Sequence, residues 1–476
     1  MAGAQLLKAV RLRSYDLGRF ETILPQREFA DLVRQAEAGR RLLRGRTVWN
    51  VNSTARGGGV AEMLGPLLGY ARGAGVDGRW LVVGGEPDFF RVTKRLHNQL
   101  HGAKGDGRGL GPTAALVYRR LTQRAAEQLT SRLRPDDVVI LHDPQTAGML
   151  PLVKAAGVTA VWRCHVGIDK PNAVARSAID FLRPYLEHAD AIVFSRAAFA
   201  WKGLDKNRTW IIQPSLDAFS PKNEVLDRDQ VAAILAAAGV VSEGGSGEPT
   251  FTRSDGRRGR VRRKARLTEE RSLGPRDPYV LQVSRWDSLK DPVGVLRGYA
   301  RYIAPRQPAH LVLAGPVSGR VADDPEDVRV FGQVRAAWRR LPADARSRVH
   351  LVELPMTDVE ENAAIINALQ RAAAIVVQKS LAEGFGLTVA EAMWKSRPVV
   401  ASRVGGIEDQ IIDGETGLLV NPKDLAEFGR AVAGLLADRR RAEKMGAAAM
   451  RRVRSAYLAP RHLLQHLALL EELLGA

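Results

Sequence analysis

Short apolar, β-branched runs alternate with stretches of helical periodicity along most of the chain. A first series reads TVWNV (47–51), RWLVVGG (79–85), DVVILHD (137–143), TAVWRCH (159–165) and ADAIVFS (189–195). A second reads YVLQVSR (279–285), AHLVLAG (309–315), VHLVEL (349–354), AIVVQKS (374–380) and PVVASRVGG (398–406). Continuous apolar runs separated by helices predict buried strands joined by right-handed crossovers, hence parallel sheets. Between the two series, residues 214–275 carry little that looks like core, which marks a boundary. The pattern predicts an α/β protein with two doubly wound Rossmann-like domains facing a central cleft. The first spans residues 1–215 and is joined by the amphipathic C-terminal helix at 460–476. The second spans 216–459.

In open α/β sheets ligands bind at the carboxyl ends of the strands, and this chain places its unusual polar residues there. His142, Asp143 and Gln145 follow one strand and His165 another; Arg285, Asp287 and Lys290 follow the first strand of the second series, and Glu383 a later one.

Composition narrows the classes. At 476 residues the chain is too long for one ordinary core, and 45% hydrophobic with 26% charged residues is the balance of a globular protein. No apolar run approaches the ~20 residues that span a bilayer and no hydrophobic signal core opens the chain, so a cytoplasmic location is expected. One cysteine, Cys164, leaves no disulfide framework and no cysteine zinc site. The formal charge of +19 raises the question of a polyanion partner. Much of it is local: FTRSDGRRGRVRRKARLTEER (251–271) has eight arginines and one lysine against three acids. Together with the preceding SEGGSGEPT it reads as a flexible basic insertion at about 242–272, of a kind more often solvated than bound to nucleic acid.

Four stretches carry candidate chemistry. In NSTARGGGVAEML (52–64), Gly57, Gly58 and Gly59 stand between a strand and a helix, where bare backbone N–H groups and the helix dipole suit an anion; a tight turn needing glycine is the alternative. The spacing is neither a dinucleotide fingerprint nor a P-loop. In VSRWDSLKDP (283–292), Arg285 and Lys290 can converge on a diphosphate, arginine through a fork and lysine as a point charge. In LAEGFGLTVAEAMW (381–394), Gly384, Phe385, Gly386 and Leu387 open a helix between Glu383 and Glu391. Two acids suggest a glycosidase pair, but an offset of eight residues along a helix parts them by roughly 10 Å or more. In DFFRVTKRLHNQLHG (88–102), Phe90, Lys94, His97 and Asn98 share a helix face that suits a sugar ring and its hydroxyls, or forms a partly buried structural face.

The spacing R-x-x-x-x-K, followed about 90 residues later by E-G-F-G-L-x-x-x-E, resembles the donor site of retaining GT-B glycosyltransferases of family four. The glycine loop, the 88–102 run, HDPQ (142–145) and WRCHVGID (162–169) are similar, more narrowly, to trehalose synthases of the glycosyltransferring type. The resemblance covers about residues 12–475, with the basic insertion as a departure. It implies a nucleoside diphosphate glucose donor, glucose as acceptor, and a reversible transfer that keeps the α configuration. Arg285 and Lys290 would hold the diphosphate, Glu391 the ribose, and Glu383 with the backbone after it the donor sugar. His165 would lie beside the anomeric carbon, with Asp143 and Gln145 toward the acceptor. In the family pattern an acid directly follows that histidine, whereas here Val166 and Gly167 intervene before Ile168 and Asp169. The motifs demand no tightly bound cofactor and no divalent cation. A glycan, lipid or sugar phosphate as acceptor is the nearest rival reading, and an Arg-rich nucleic-acid or acidic-partner binder the more distant one. Oligomeric state is left open, a homodimer among the options, and ADDPED (322–327) reads as an acidic surface loop.

Overall fold

A computed structural model of the chain describes residues 5–55, 59–243, 247–319 and 326–475. It divides into two compact units, Met1–Ser215 with Tyr457–Ala476, and Leu216–Ala456. In the first, seven strands form one sheet: β1 (Leu7–Val10), β2 (Thr47–Asn52), β3 (Asp77–Val83), β4 (Val138–His142), β5 (Thr159–Cys164), β6 (Ala191–Phe194) and β7 (Thr209–Ile211). Their order is β1-β3-β2-β4-β5-β6-β7, parallel except for β1, which runs antiparallel on β3 with Leu7 opposite Val83. Every residue of β2, β4 and β6 is buried, as a sheet covered on both faces requires. One face packs Trp49, Leu81, Leu141 and Trp162 with Leu96 and Tyr118. The other packs Val48, Ile140 and Val193 against Leu469 and Leu470 of the last helix, Ala459–Leu474.

The second unit has β8 (Thr250–Thr252) and β9 (Arg258–Arg260) as a hairpin. Its sheet contains β10 (Arg266–Thr268), β11 (Tyr279–Val283), β12 (His310–Pro316), β13 (Val349–Leu354), β14 (Ile375–Gln378), β15 (Val399–Ser402) and β16 (Leu418–Val420). The order is β10-β13-β12-β11-β14-β15-β16, again parallel apart from one edge strand, β10, antiparallel to β13. All ten strands read from the sequence are present. The sheets are mixed rather than purely parallel, because the edge strands β1 and β10, which the hydrophobic pattern does not show, run antiparallel to β3 and β13.

The stretch expected to be a flexible insertion is instead built structure. Its hairpin turns through Gly256, φ 81°, and Phe251 and Val261 are buried. Arg253 forms a fork on Asp358, 2.7 Å from Oδ2, and reaches Glu360 at 3.0 Å. The backbone N–H groups of Arg262 and Arg263 both donate to Glu361 at 2.6 Å. Acids about a hundred residues downstream neutralise part of the run, and β10 then joins the sheet.

Both sheets reverse their winding direction once. In the first unit the switch lies between β2 and β4; in the second it lies between β11 and β14. Loops leaving such a pair diverge and open a crevice at the carboxyl ends.

Candidate active site

At the second unit's switch point, the loops after β11 and β14 carry Arg285, Lys290 and Glu383. The chain leaves β11 and makes a short turn, Ser288–Lys290, started by Asp287, whose Oδ1 accepts from the Leu289 amide at 2.8 Å. Arg285 is half exposed and pairs with Asp287 Oδ2 at 3.1 Å. Lys290 is largely buried and ion-paired with Glu383, which also accepts from the Ser380 hydroxyl at 3.2 Å. The cation and carboxylate that the sequence placed 93 residues apart therefore meet.

Gly386, at φ 84°, begins the helix Leu387–Trp394, and no side chain among the described residues caps it. Its first amides remain available to an anion, aided by the helix dipole. The loop before it is held by residues outside the motif, 20 or more positions downstream. The Gly406 amide donates to the Gly384 carbonyl at 2.9 Å. The Gln410 side-chain amide donates to the Phe385 carbonyl at 2.5 Å. A Cβ on Gly405 would lie 1.8 Å from the Glu383 carbonyl oxygen, so only glycine fits. Gly405 and Gly406 close PVVASRVGG, a doublet just past a strand, and that was the available signal. Phe385 is buried, so it offers backbone rather than its ring.

Glu391 is 5% exposed and faces inward along this helix. Lys222 Nζ stands 3.5 Å from Glu391 Oε1. Lys395 Nζ donates to the Asn223 side chain at 2.9 Å, and burial pushes this ammonium well below the usual lysine range, with Glu391 opposing the shift. Neither lysine stands in a sequence motif that marks it.

At the first unit's switch point, β2 runs toward the glycine loop and β4 ends at His142. Gly57 and Gly58 lie outside the described residues; Gly59 is the first residue of the helix Gly59–Gly73. Asp143 adopts φ 65°, a left-handed backbone that turns its carboxylate back onto the next strand end, where Oδ1 accepts from the His165 amide at 2.7 Å. Burial raises the Asp143 carboxyl to about 7, against the opposing His165 N–H and Arg163. His142 Nδ1 is 3.2 Å from His165 Nε2, and His142 Nε2 is 2.9 Å from the Asn50 side-chain oxygen. The two imidazoles stack at 5.5 Å. Burial, with Arg163 next, pushes His142 down to about 3 and His165 well below its usual value, so both rings are neutral near pH 7. His142 stood beside the chosen residues in the sequence; the structure makes it the partner that orients His165.

The helix Pro87–Leu100 buries Phe89, Val92, Leu96 and Leu100 and leaves Phe90 and Lys94 exposed, with His97 and Asn98 half buried. The stripe is thus the open side of its helix. Gln145 is half buried, and its Oε1 has no hydrogen-bond partner among the described residues. Asp169 pairs with Arg196 at 3.1 Å, a structural contact. The loop ADDPED lies mostly outside the described residues. Among those described, no group of three or more His, Cys, Asp or Glu is arranged to hold a metal, and no helix is long and apolar enough to cross a membrane.

Two doubly wound sheets with polar loops at their switch points place the chain in the GT-B class of glycosyltransferases. The fold matches that of an alpha,alpha-trehalose 6-phosphate synthase from Burkholderia multivorans, with a TM-score of 0.66 over 90% of this chain and 96% of that one at 16% identity. Residues 50–201 match the family model "Trehalose synthase, N-terminal domain" and residues 264–452 match "Glycosyl transferases group 1". The chain is 35% identical over 466 residues to the trehalose synthase of Rubrobacter xylanophilus, spanning 96% of this chain and 97% of that one. It is 32% identical over 456 residues to the trehalose synthase of Pyrococcus horikoshii, with 96% of each covered. The chain belongs to the trehalose synthase family.

Proposed function

We propose that the protein transfers glucose from a nucleoside diphosphate glucose to free glucose, with retention of configuration, to give trehalose. The observation that carries the reading is the Lys290–Glu383 pair beside the uncapped helix start at Gly386, since a cation, bare amides and a carboxylate together fit a sugar diphosphate. Lys290 and Arg285 bind the diphosphate and stabilise the charge that grows as it leaves. Glu383 and the backbone from Gly384 to Leu387 hold the donor sugar, and Glu391 accepts from the ribose. His165, neutral and fixed by His142, hydrogen-bonds a hydroxyl near the anomeric carbon. The stripe Phe90, Lys94, His97 and Asn98, with Asp143 and Gln145, receives the acceptor glucose. The acceptor hydroxyl attacks from the face the diphosphate leaves, and a departing phosphate oxygen takes its proton. No covalent nucleophile is used. The reaction runs in either direction, and divalent cations are dispensable.

The test combines a panel of ADP-, UDP- and GDP-glucose with free glucose as acceptor and the Lys290→Ala variant. Trehalose forms from at least one donor in the wild type. In Lys290→Ala, kcat/KM falls roughly a hundredfold or more with circular dichroism unchanged; normal turnover by this variant removes the donor-site assignment. Product on a glycan or sugar phosphate but not on glucose moves the acceptor reading instead.

A further inference from the structure

Beneath the Lys290–Glu383 pair lies a second, more deeply buried set of polar groups to which the proposed reaction assigns no part. Gln282, on β11, is 1% exposed. Its Nε2 donates to the Lys290 carbonyl at 3.0 Å, and its Oε1 accepts from the Lys379 amide at 3.3 Å. One side chain thus holds the main chain of both loops, since β11 and β14 are adjacent strands. Lys379, also 1% exposed, extends to an ion pair with Asp291 and donates to the Pro422 carbonyl at 2.8 Å. Asp291 sits at φ 46°, and its other oxygen caps the helix Pro292–Gly298 at the Gly294 amide, 3.0 Å away. The Leu381 amide adds a third tie, 2.7 Å to the Leu289 carbonyl.

A buried lysine is not what packing asks for in the strand-end sequence IVVQKS; an apolar side chain of like volume commonly serves stability as well or better. What the ion pair adds is geometry. Asp291 directly follows Lys290, and Lys379 directly precedes Ser380, the residue that donates to Glu383. Fixing Asp291 and Lys379 to each other therefore fixes the roots of both arms that meet above them. The charges alternate from one layer to the next, so Asp291 is occupied below and Lys290 is left to Glu383 and ligand.

Resting on the reading of Lys290 and Glu383 as donor-binding groups, we infer that Gln282, Asp291 and Lys379 are positioning residues that lock the two diphosphate-facing loops in register. Removing the Lys379 ammonium leaves the Asp291 carboxylate one residue from Lys290, where it competes with Glu383 and with the donor's phosphates. The defect falls on the donor and spares the acceptor.

The experiment is steady-state kinetics on Lys379→Met and on Lys379→Met with Asp291→Asn, with Lys290→Ala assayed alongside. Lys379→Met raises the donor KM by about tenfold or lowers kcat to match, while the glucose KM stays within about twofold. Adding Asp291→Asn removes the stray carboxylate and recovers part of the donor KM. Wild-type donor constants in Lys379→Met, or equal losses for donor and glucose that track the folded fraction, overturn the inference. If Lys379→Met does not fold, Gln282→Glu takes its place, with the same donor-selective loss expected and wild-type constants overturning it. Normal turnover by Lys290→Ala defeats the donor-site reading itself, whereas an inactive Lys290→Ala beside a normal Lys379→Met defeats only the clamp.

Discussion

At the scale of single residues, environment rather than identity decides what each polar group does. Asp143 is an ordinary aspartate in sequence, but burial lifts its carboxyl to about 7. If its ionised form accepts a hydroxyl of the incoming glucose, kcat/KM for glucose rises with pH through about 7, because the pH dependence of kcat/KM follows the free enzyme. Asp143→Asn removes that step and lowers kcat/KM at pH 8 by about tenfold or more, while the donor KM holds; a pH profile of the variant against wild type checks both. Lys290 and Glu383 were legible because each stands in a compact motif after a strand-like run. Lys379, Lys222 and Lys395 were not, and His142 showed only as a polar residue at a strand end, because their roles depend on partners that only the folded sheet brings near. A lysine within an apolar strand-end run, as in IVVQKS, was the one visible sign. Gly57 and Gly58 of the glycine loop stand outside the described residues, and Gly59 opens its helix.

At the scale of elements, strands buried on both faces announce themselves as apolar runs and the half-covered edge strands do not. The ten runs that the hydrophobic pattern predicts are all strands, whereas β1, β7, β8, β9, β10 and β16 have three or four residues each and went unread. The Arg-rich stretch shows why composition misleads here. Its partners Asp358, Glu360 and Glu361 open the helix Val359–Ala372 or cap it, far away in sequence. Glu361 is 1% exposed and accepts from two backbone amides as well as from the Arg263 side chain. Glu361→Ala leaves those two amides without their acceptor and costs about 2–4 kcal/mol of stability. A urea melt measures the loss, and the KM values for donor and glucose remain at wild type because β10 lies at the far edge of the sheet from β11 and β14. Unchanged stability would return the stretch to a solvated loop.

At the scale of the whole molecule, the chain builds its first unit from both ends, and this makes the two units differ in their response to acid. The helix Ala459–Leu474 supplies Leu469 and Leu470 to the first core and carries His462, buried, and His466, half buried. His462 Nδ1 lies 2.8 Å from the Ser215 hydroxyl, and His466 contacts the buried Arg163 of β5. Burial, with Arg163 the next cause for each, pushes His462 and His466 well below the usual histidine value, as it does His165, and His142 to about 3. The unfolded chain takes up these protons near pH 6.5, whereas the folded unit refuses them until much lower, so stability is present above 6.5 and is lost as pH falls. Asp143 acts in the opposite sense: its raised carboxyl holds a proton that the unfolded chain has released above about 4, which offsets one of the four between about 4 and 7. Four histidines against one aspartate leave a net uptake of protons when the first unit unfolds below pH 6.5, so its stability falls with pH. In the second unit fewer groups act in this sense: burial pushes His310 down to about 4 and Lys395 well below the usual lysine range. Acidification from pH 7 to 5 therefore unfolds the first unit before the second. Hydrogen exchange at the two pH values reads this directly, through lost protection in β2, β4 and β5 while β11 and β12 stay protected. His466→Gln reduces the pH slope of the first unit by about one proton, and a slope unchanged by that substitution contradicts a neutral His466 beside Arg163.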